Sequence, residues 1–324
     1  MTKYSPAYRN RKSRVHFQVN ISTLILTILL DVLSKDNNGD FQVAKQLTEF
    51  QFLPKEKFIV QPRKEISISK SNDYSSIQPV IDTISKSVPP TTEYSDEFVI
   101  PLGTGSAIPS RYKNVSATWF YHQSGSILFD AGEGTLGQLD RRFGDQLDVQ
   151  LQSMKAIFVS HLHGDHQLGV FTVIRHWLQI TDENAKLFII APRPSYTWIC
   201  DLAALENVNL NRVQFLDCKI LASDPFGDYS QELRSSTNFQ SFTPVPVDHC
   251  KLAFAAVVKY KNGFSVSFSG DCRPSSLFAQ IGRDSDLLIH EATLPDDMKA
   301  DAIKKKHSTF SEAIEVGKRY NSIE

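Results

Sequence analysis

The sequence predicts an α/β domain in which strands and helices form separate layers, and three observations support this prediction. From residue 98 onward, short apolar runs alternate with helical segments. Most of these runs end in Gly, Asp, Ser or His, which is typical of strands whose ends carry a site. The composition, 41% hydrophobic and 22% charged with a net charge of −1, is that of an ordinary globular protein. The charge balance excludes chain-wide attraction to a polyanion, so such binding must use a local cluster of Lys and Arg.

The apolar runs define the expected elements in chain order. Strands are predicted at residues 98–102, 126–130, 156–160, 187–191, 265–271 and 286–290. Helices are predicted at residues 167–180 and 311–320. The alternation of these elements indicates one layered unit that begins after residue 97.

Residues 1–97 are predicted to be an amino-terminal remnant and linker, and residues 98–324 a catalytic domain that is incomplete at its carboxyl end. The first thirty residues contain five basic side chains and no acid, which resembles a targeting peptide. Their apolar stretch, residues 24–30, is too short to span a bilayer, and a buried strand or helix is the alternative. Residues 61–97 are rich in Ser, Thr, Pro and charge, as linkers are.

The four cysteines are scattered and form no CxxC pair, which argues against a zinc ribbon or a disulfide scaffold and favours a reducing compartment. Cys250 and Cys272 adjoin His249 and Asp271. We interpret them as small buried residues beside a site rather than as reactive thiols.

The most informative segment is Ser-His-Leu-His-Gly-Asp-His at residues 160–166. Neutral imidazole and carboxylate are the ligands that hydrolytic zinc sites use. A strand that ends here would turn alternate side chains, those of His161 and His163, to one side, while Asp165 and His166 face a second position. The alternative is a polar loop with solvated histidines. Two later residues extend the set: His249, which alone would be a surface histidine, and Asp271, which alone would belong to a turn.

In their order along the chain, the HxHxDH motif, the later His and the strand-end Asp resemble the metallo-β-lactamase superfamily. The resemblance implies a four-layered αββα sandwich, here carboxy-terminally truncated. Three further stretches resemble the tRNase Z family, whose members cut at the 3′ end of tRNA. They are Leu-Gly-Thr-Gly-Ser at 102–106 with Pro-Ser-Arg-Tyr-Lys-Asn at 109–114, His-Glu-Ala-Thr at 290–293 and His-Ser-Thr at 307–309.

The resemblance implies two zinc ions. One is expected on His161, His163 and His249, the other on Asp165 and His166, with Asp271 bridging. Asp165 is the implied proton acceptor that orients water. A metal pair of this kind activates water and stabilises the entering and leaving oxygens of a phosphodiester displacement.

The resemblance also suggests a proton donor for the leaving oxygen, His307, with Glu291 orienting its ring. The alternative is a surface histidine after a run of lysines. Arg111 and Lys113 are candidates for tRNA phosphate contacts, with a solvated charged loop as the alternative. Asp130 is expected to support a histidine ligand.

The sequence departs from the family at the second zinc, because a further His ligand would lie beyond Glu324. We therefore expect a weaker second site and reduced activity of this chain. No long inserted arm separates His166 from His249, so a long-form protein with an amino-terminal half is indicated.

The expected function is a zinc-dependent endoribonuclease that removes 3′ trailers from precursor tRNA. Alternatives are another metallo-phosphodiesterase of this fold and an inactive binding homologue. An intracellular location (nucleus or mitochondrion) and no membrane partner are expected, and a homodimer is compatible with the sequence.

Overall fold

Two β-sheets face each other across an apolar layer in the computed structural model, which describes residues 23–26, 49–52, 58–61, 97–110, 113–224, 227 and 230–320. Within these residues the strands are β1 (Thr23–Leu26), β2 (Glu49–Phe52), β3 (Phe58–Gln61), β4 (Phe98–Gly103), β5 (Ala117–Tyr121), β6 (Ser126–Ala131), β7 (Met154–Phe158), β8 (Leu187–Ala191), β9 (Val213–Asp217), β10 (Phe239–Pro246), β11 (Phe254–Tyr260), β12 (Ser265–Phe268) and β13 (Leu287–Glu291).

The α-helices of the same residues lie between and after the strands. They are α1 (Thr135–Phe143), α2 (Leu147–Gln152), α3 (Gly164–Gln167), α4 (Val170–Ile180), α5 (Arg193–Leu205), α6 (Cys218–Ser223), α7 (Gln231–Ser236), α8 (Ser276–Ile281), α9 (Lys299–Lys305) and α10 (Phe310–Tyr320). None of the helices described is long and apolar enough to cross a membrane.

The larger sheet has the strand order β3-β2-β4-β5-β6-β7-β8-β9, and the smaller one β1-β13-β12-β11-β10. Strands β6 to β9 run parallel, as do β12 and β13, whereas the neighbouring pairs β4-β5, β5-β6, β10-β11 and β11-β12 are antiparallel. Strand β1 adds to the smaller sheet beside β13. Parallel strands require crossover helices, and these cover the outer faces of the sheets.

Successive side chains of a strand point to opposite faces of the sheet, so each strand contributes to two apolar layers. On β7, Ala156 and Phe158 point into the layer between the sheets, while Ile157 packs outward against the helices. The outer face of the larger sheet is covered by α1, α2, α4 and α5, and that of the smaller sheet by α8 and α10, as with Phe278 and Val316. The result is four layers in the order αββα, which confirms the predicted fold class.

The predicted strand at residues 187–191 coincides with β8, and the others are shifted by one to three residues at their ends. The strand expected at 265–271 ends at Phe268, because Gly270 adopts φ 55° and turns the chain. The helix expected at 167–180 is wrong at its start: α4 begins at Val170. A Cβ on Gly169 would lie 2.1 Å from the Gly132 carbonyl oxygen, so this close approach to β6 separates α3 from α4.

Several strands were not predicted, among them β5, β9, β10 and β11. Residues 62–96 of the predicted linker lie outside the described residues. The domain boundary after residue 97 stays a prediction, while β2 and β3 extend the larger sheet next to β4.

Candidate metal centre

The predicted site residues lie in loops and at strand ends along one edge of the sandwich. His161 and His163 lie in the loop after β7, and His249 lies between β10 and β11. Asp271 follows β12, and Glu291 is the last residue of β13. Because side chains from both sheets meet at this edge, segments more than a hundred residues apart contribute to one cluster.

Three imidazoles converge in this cluster. Nε2 of His161 lies 2.9 Å from Nδ1 of His163, and Nε2 of His249 lies 3.3 Å from the same nitrogen. His161 and His249 are buried, whereas His163 is exposed. Burial, assisted by the nearby His166, lowers the pKa of His161 to about 2. The ring of His161 is therefore neutral, which is the form that binds metals.

Hydrogen bonds on the far side of these rings place a proton on each outer nitrogen, so that in the neutral rings the inner nitrogens carry lone pairs. The Ser160 hydroxyl donates to a buried carboxylate at 2.8 Å, so it accepts from Nδ1 of His161 at 2.9 Å. Nδ1 of His249 donates to the carbonyl oxygen of Lys306 at 2.9 Å. Both Nε2 lone pairs then face Nδ1 of His163, where a single proton could satisfy only one of them. A cation among the three nitrogens would satisfy all, so the donor set fits a metal ion.

Asp271 lies between this trio and His166. Its Oδ2 atom is 3.3 Å from Nε2 of His166, 3.9 Å from Nε2 of His161 and 3.7 Å from Nε2 of His249. Oδ2 of Asp165 approaches Nε2 of His166 at 3.6 Å from another side. Burial raises the pKa of Asp271, but the charge of His166 and its hydrogen bond outweigh burial and hold this pKa well below its usual range. Asp271 is therefore an ionised carboxylate that lies between the three imidazoles and His166.

Asp130 supports the centre from the buried end of β6. Its Oδ2 atom accepts from Nδ1 of His166 at 2.7 Å, and its Oδ1 atom accepts from the Ser160 backbone N–H at 2.7 Å. The residue has φ 55°, and the β5–β6 register shifts here, so that Ala131 pairs with Ala117 while Phe129 pairs with Thr118. The bulge directs the carboxylate toward the loop after β7. The expected contact between Asp130 and a histidine is present.

Gln167 holds the backbone between His161 and His163. Its Nε2 atom donates to the carbonyl oxygen of Leu162, while its Oε1 atom accepts from Oγ of Ser195 and Nε1 of Trp198, each at 2.8 Å. The side chain is buried, and α5 supplies both donors. The loop that carries His161 and His163 is thus tied to a helix of the outer layer.

Glu291 and His307 form a pair beside Asp271. Nδ1 of His307 donates to Oε1 of Glu291 at 2.9 Å and lies 3.9 Å from Oδ2 of Asp271. Burial lowers the pKa of His307, but the hydrogen bond and charge of Glu291, together with Asp271, outweigh burial, so this pKa is raised. The raised pKa favours the protonated ring that a general acid needs.

An ion pair between Arg273 and Glu312 of α10 fixes the backbone around His307. Arg273 makes two hydrogen bonds to Glu312, at 2.6 and 2.7 Å, and donates to the carbonyl oxygen of His307. The N–H of Thr309 also donates to Glu312, at 3.1 Å. Bidentate pairs of this type fix geometry as well as charge.

The structure brings eight of the predicted site residues together: His161, His163, Asp165, His166, His249, Asp271, Glu291 and His307. Their individual roles stay predictions. Arg111 lies outside the described residues. Lys113 is half-buried in a turn closed by Ser110, in the loop whose Ala107 N–H donates to Oδ2 of Asp165 at 2.6 Å.

Ser160, Gln167 and Lys306 were missed by sequence reasoning. Ser160 adjoins the motif, and this adjacency was the one signal available for it. Lys306 acts through its carbonyl oxygen, for which the side chain gives no signal.

Comparison with known proteins places this geometry in a family. The model of the beta-lactamase superfamily domain matches residues 126–322. Ribonuclease Z 1 of Schizosaccharomyces pombe is 40% identical over 247 residues, which are 71% of this chain and 30% of that protein. Zinc phosphodiesterase ELAC protein 2 of Homo sapiens is 37% identical over 235 residues, 69% of this chain and 28% of that protein. The chain thus spans about a third of the length of these curated relatives.

Solved structures agree with the sequence relatives. The chain superposes on a long-form RNase Z from yeast with a TM-score of 0.68 at 27% identity, covering 91% of this chain and 47% of that one. It superposes on the short form of human tRNase Z with a TM-score of 0.54 at 26% identity, covering 68% of this chain and 88% of that one. The chain is a member of the beta-lactamase superfamily, in which its relatives include ribonucleases Z of long and short form.

Proposed function

We propose that this chain carries the catalytic domain of a zinc-dependent endoribonuclease that removes 3′ trailers from precursor tRNA. One observation carries the proposal: Nδ1 of His307, which donates to Glu291, lies 3.9 Å from Oδ2 of Asp271, beside a cluster of side chains that could hold metal ions. Such a site would combine bound metal ions with a proton donor. The names of the relatives, ribonuclease Z and zinc phosphodiesterase, support the same reaction and metal.

His161, His163 and His249 would hold one zinc ion, and Asp165 and His166 the other, with Asp271 between them. When bound, zinc lowers the pKa of water and stabilises the charge that develops on the phosphate oxygens. This ligand set is supported because the inner nitrogens of His161 and His249 both face Nδ1 of His163, at 2.9 and 3.3 Å, and that nitrogen can donate a proton to only one of them.

Asp165 is the proposed acceptor of the proton from the attacking water. Its Oδ2 atom accepts the N–H of Ala107 at 2.6 Å, which orients the carboxylate and leaves Oδ1 for the water. The loop that supplies Ala107 is thereby coupled to the reacting centre.

His307 is the proposed acid. With Nδ1 donating to Glu291, the proton for the departing ribose 3′ oxygen comes from Nε2. Glu291 fixes this orientation of the ring and stabilises its protonated form, as the carboxylate of a hydrolytic triad does. The bond between phosphorus and the 3′ oxygen breaks as that oxygen receives the proton.

Precursor tRNA is the proposed partner, with Arg111 and Lys113 as proposed phosphate contacts. Pairing with an amino-terminal half of a longer protein, or with a second copy, stays a prediction, as does the location in the nucleus or mitochondrion.

The test is cleavage of a precursor tRNA that has a 3′ trailer, with zinc and with a chelator. We expect zinc-dependent release of the trailer, loss of cleavage in His161→Ala and retention in His176→Ala, which alters a histidine paired with Asp148 on the surface. Hydrolysis of a chromogenic diester without tRNA cleavage would favour another phosphodiesterase. Binding of tRNA without turnover of either substrate would favour an inactive homologue.

A further inference from the structure

A thiol lies beside the three imidazoles. Sγ of Cys250 and one nitrogen each of His161, His163 and His249 all lie within 4.8 Å of one another. Neighbouring donors around a four-coordinate cation with nitrogen and sulfur ligands are about 3.4–3.8 Å apart, so small side-chain adjustments would close a shell around one ion. The thiol is half-buried, in contrast to the buried structural role expected from the sequence.

Cys250 lies next to the loop that carries His161 and His163. Its Sγ atom donates to the carbonyl oxygen of Lys251 at 3.6 Å; burial raises the pKa of the thiol, and the backbone of Leu162, the residue between two of the histidines, lowers it in part. The Leu162 carbonyl is in turn held by Gln167. The thiol therefore lies beside the loop that carries His161 and His163.

Two chemically different groups thus lie next to the three histidines. Oδ2 of Asp271 lies 3.9 and 3.7 Å from Nε2 of His161 and His249 and offers a hard oxygen. Cys250 offers a soft sulfur, which cations of the Cd²⁺ type prefer. The oxygen ligand links the site to the His166 side of the centre, whereas the sulfur would close it as a set of four protein ligands.

We infer that Cys250 is an alternative fourth ligand of the His161, His163 and His249 site, recruited by thiophilic cations such as Cd²⁺. This inference rests on the metal site proposed above. On binding, the thiol releases its proton to solvent and a bond forms between sulfur and the cation. The closed His₃Cys set has no position left for water, so Cd²⁺ held in this way is inhibitory.

The test is titration of the metal-free chain with Cd²⁺, monitored by the ultraviolet charge-transfer absorption of a cadmium-bound thiolate and by equilibrium dialysis. We expect the absorption of one cadmium-bound thiolate per chain. Cys250→Ser abolishes this absorption and weakens Cd²⁺ binding by about 100-fold, while Zn²⁺ affinity is nearly unchanged. Cys200→Ser is the matched control, because Cys200 is also half-buried but lies in α5; it retains both absorption and affinity.

The possible outcomes distinguish failure of the Cys250 proposal from failure of the proposed metal site. Cd²⁺ uptake without thiolate absorption, or absorption that persists in Cys250→Ser, overturns the role of Cys250 and leaves the histidine site standing. No uptake of Cd²⁺ or Zn²⁺ by the folded chain overturns both. Circular dichroism of each variant verifies that the fold is intact.

Discussion

His307 and Glu291 are joined by a hydrogen bond of 2.9 Å from ring Nδ1 to carboxylate Oε1. Glu291 is itself fixed by other donors: the backbone N–H groups of Cys272, Thr293 and Ser308 and the Thr293 hydroxyl. These donors hold the carboxylate in one orientation. The ring is therefore oriented with Nδ1 toward Glu291, and in the protonated ring Nε2 would carry the proton for the acid role proposed above.

We expect His307→Ala to lower the cleavage rate of precursor tRNA by about 10²–10⁴-fold, the range for loss of a positioned acid. Zinc content should stay at the wild-type value, because the proposed ligands are untouched. Rate measurements under single-turnover conditions and metal analysis of the same sample check both parts, with His176→Ala as control. Equal losses of zinc and rate would instead make His307 a ligand.

Asp130→Asn should weaken binding at the His166 position by about 10–100-fold, the effect typical of changing a group that orients a histidine ligand. The Asn side chain has one oxygen where Asp130 has two. If its NH₂ group faces Nδ1 of His166, the hydrogen bond from His166 is lost; if the amide is flipped, the hydrogen bond from the Ser160 N–H is lost. Competition titration with a zinc-binding dye measures the change. Asp148→Asn, which removes a carboxylate from an exposed pair with His176, is the control. Equal affinities of the two variants would contradict the role of Asp130.

Much of the fold was predictable because alternation and strand length are local properties of the sequence. The run at residues 187–191 is bounded by Lys186 and Pro192, and it coincides with β8. The break between α3 and α4 was not predictable, since it depends on the contact of Gly169 with Gly132 of a distant segment. Strand β10 was missed as well, because Pro244 and Pro246 interrupt its pattern.

The candidate site was predictable where the chemistry resides in side chains at fixed spacing, as for His161, His163 and His166. Supporting contacts were less visible. Lys306 binds His249 through a carbonyl oxygen, with φ 58° at the end of α9, and its charged side chain points to Asp248 instead. Such backbone groups have no residue type of their own and can be recognised only once the chain is folded.

Gln167→Met should destabilise the fold by about 1–3 kcal/mol, the cost of leaving buried polar partners unpaired. The partners concerned are the Leu162 carbonyl, Ser195 and Trp198. Because Leu162 lies between two proposed ligands, zinc affinity should fall as well. Urea unfolding and metal titration are the measurements. The control is Gln152→Met, which removes a single hydrogen bond of an exposed glutamine; a similar loss in that variant would argue against a special role for Gln167.

Glu312 provides a test of stability against pH. Its hydrogen bonds from Arg273 lower the pKa of this carboxyl from 4.5 to about 2. A carboxyl whose pKa is depressed by folding contributes stability above its unfolded value and loses that contribution as the pH falls toward the folded value. Glu312→Gln should therefore destabilise the chain by about 1–2 kcal/mol at pH 7, and the difference from wild type should shrink below pH 4.5.

Urea unfolding from pH 7 down to pH 4 measures this difference. Glu315→Gln is the matched control on the same helix, because its partner Arg319 lies 3.8 Å away in an exposed pair that contributes little. Since Arg273 also holds the carbonyl oxygen of His307, Glu312→Gln should lower the cleavage rate at neutral pH as well, whereas Glu315→Gln should not. A stability difference that stayed constant with pH would mean that packing of α10, and not the charge of Glu312, fixes this part of the site.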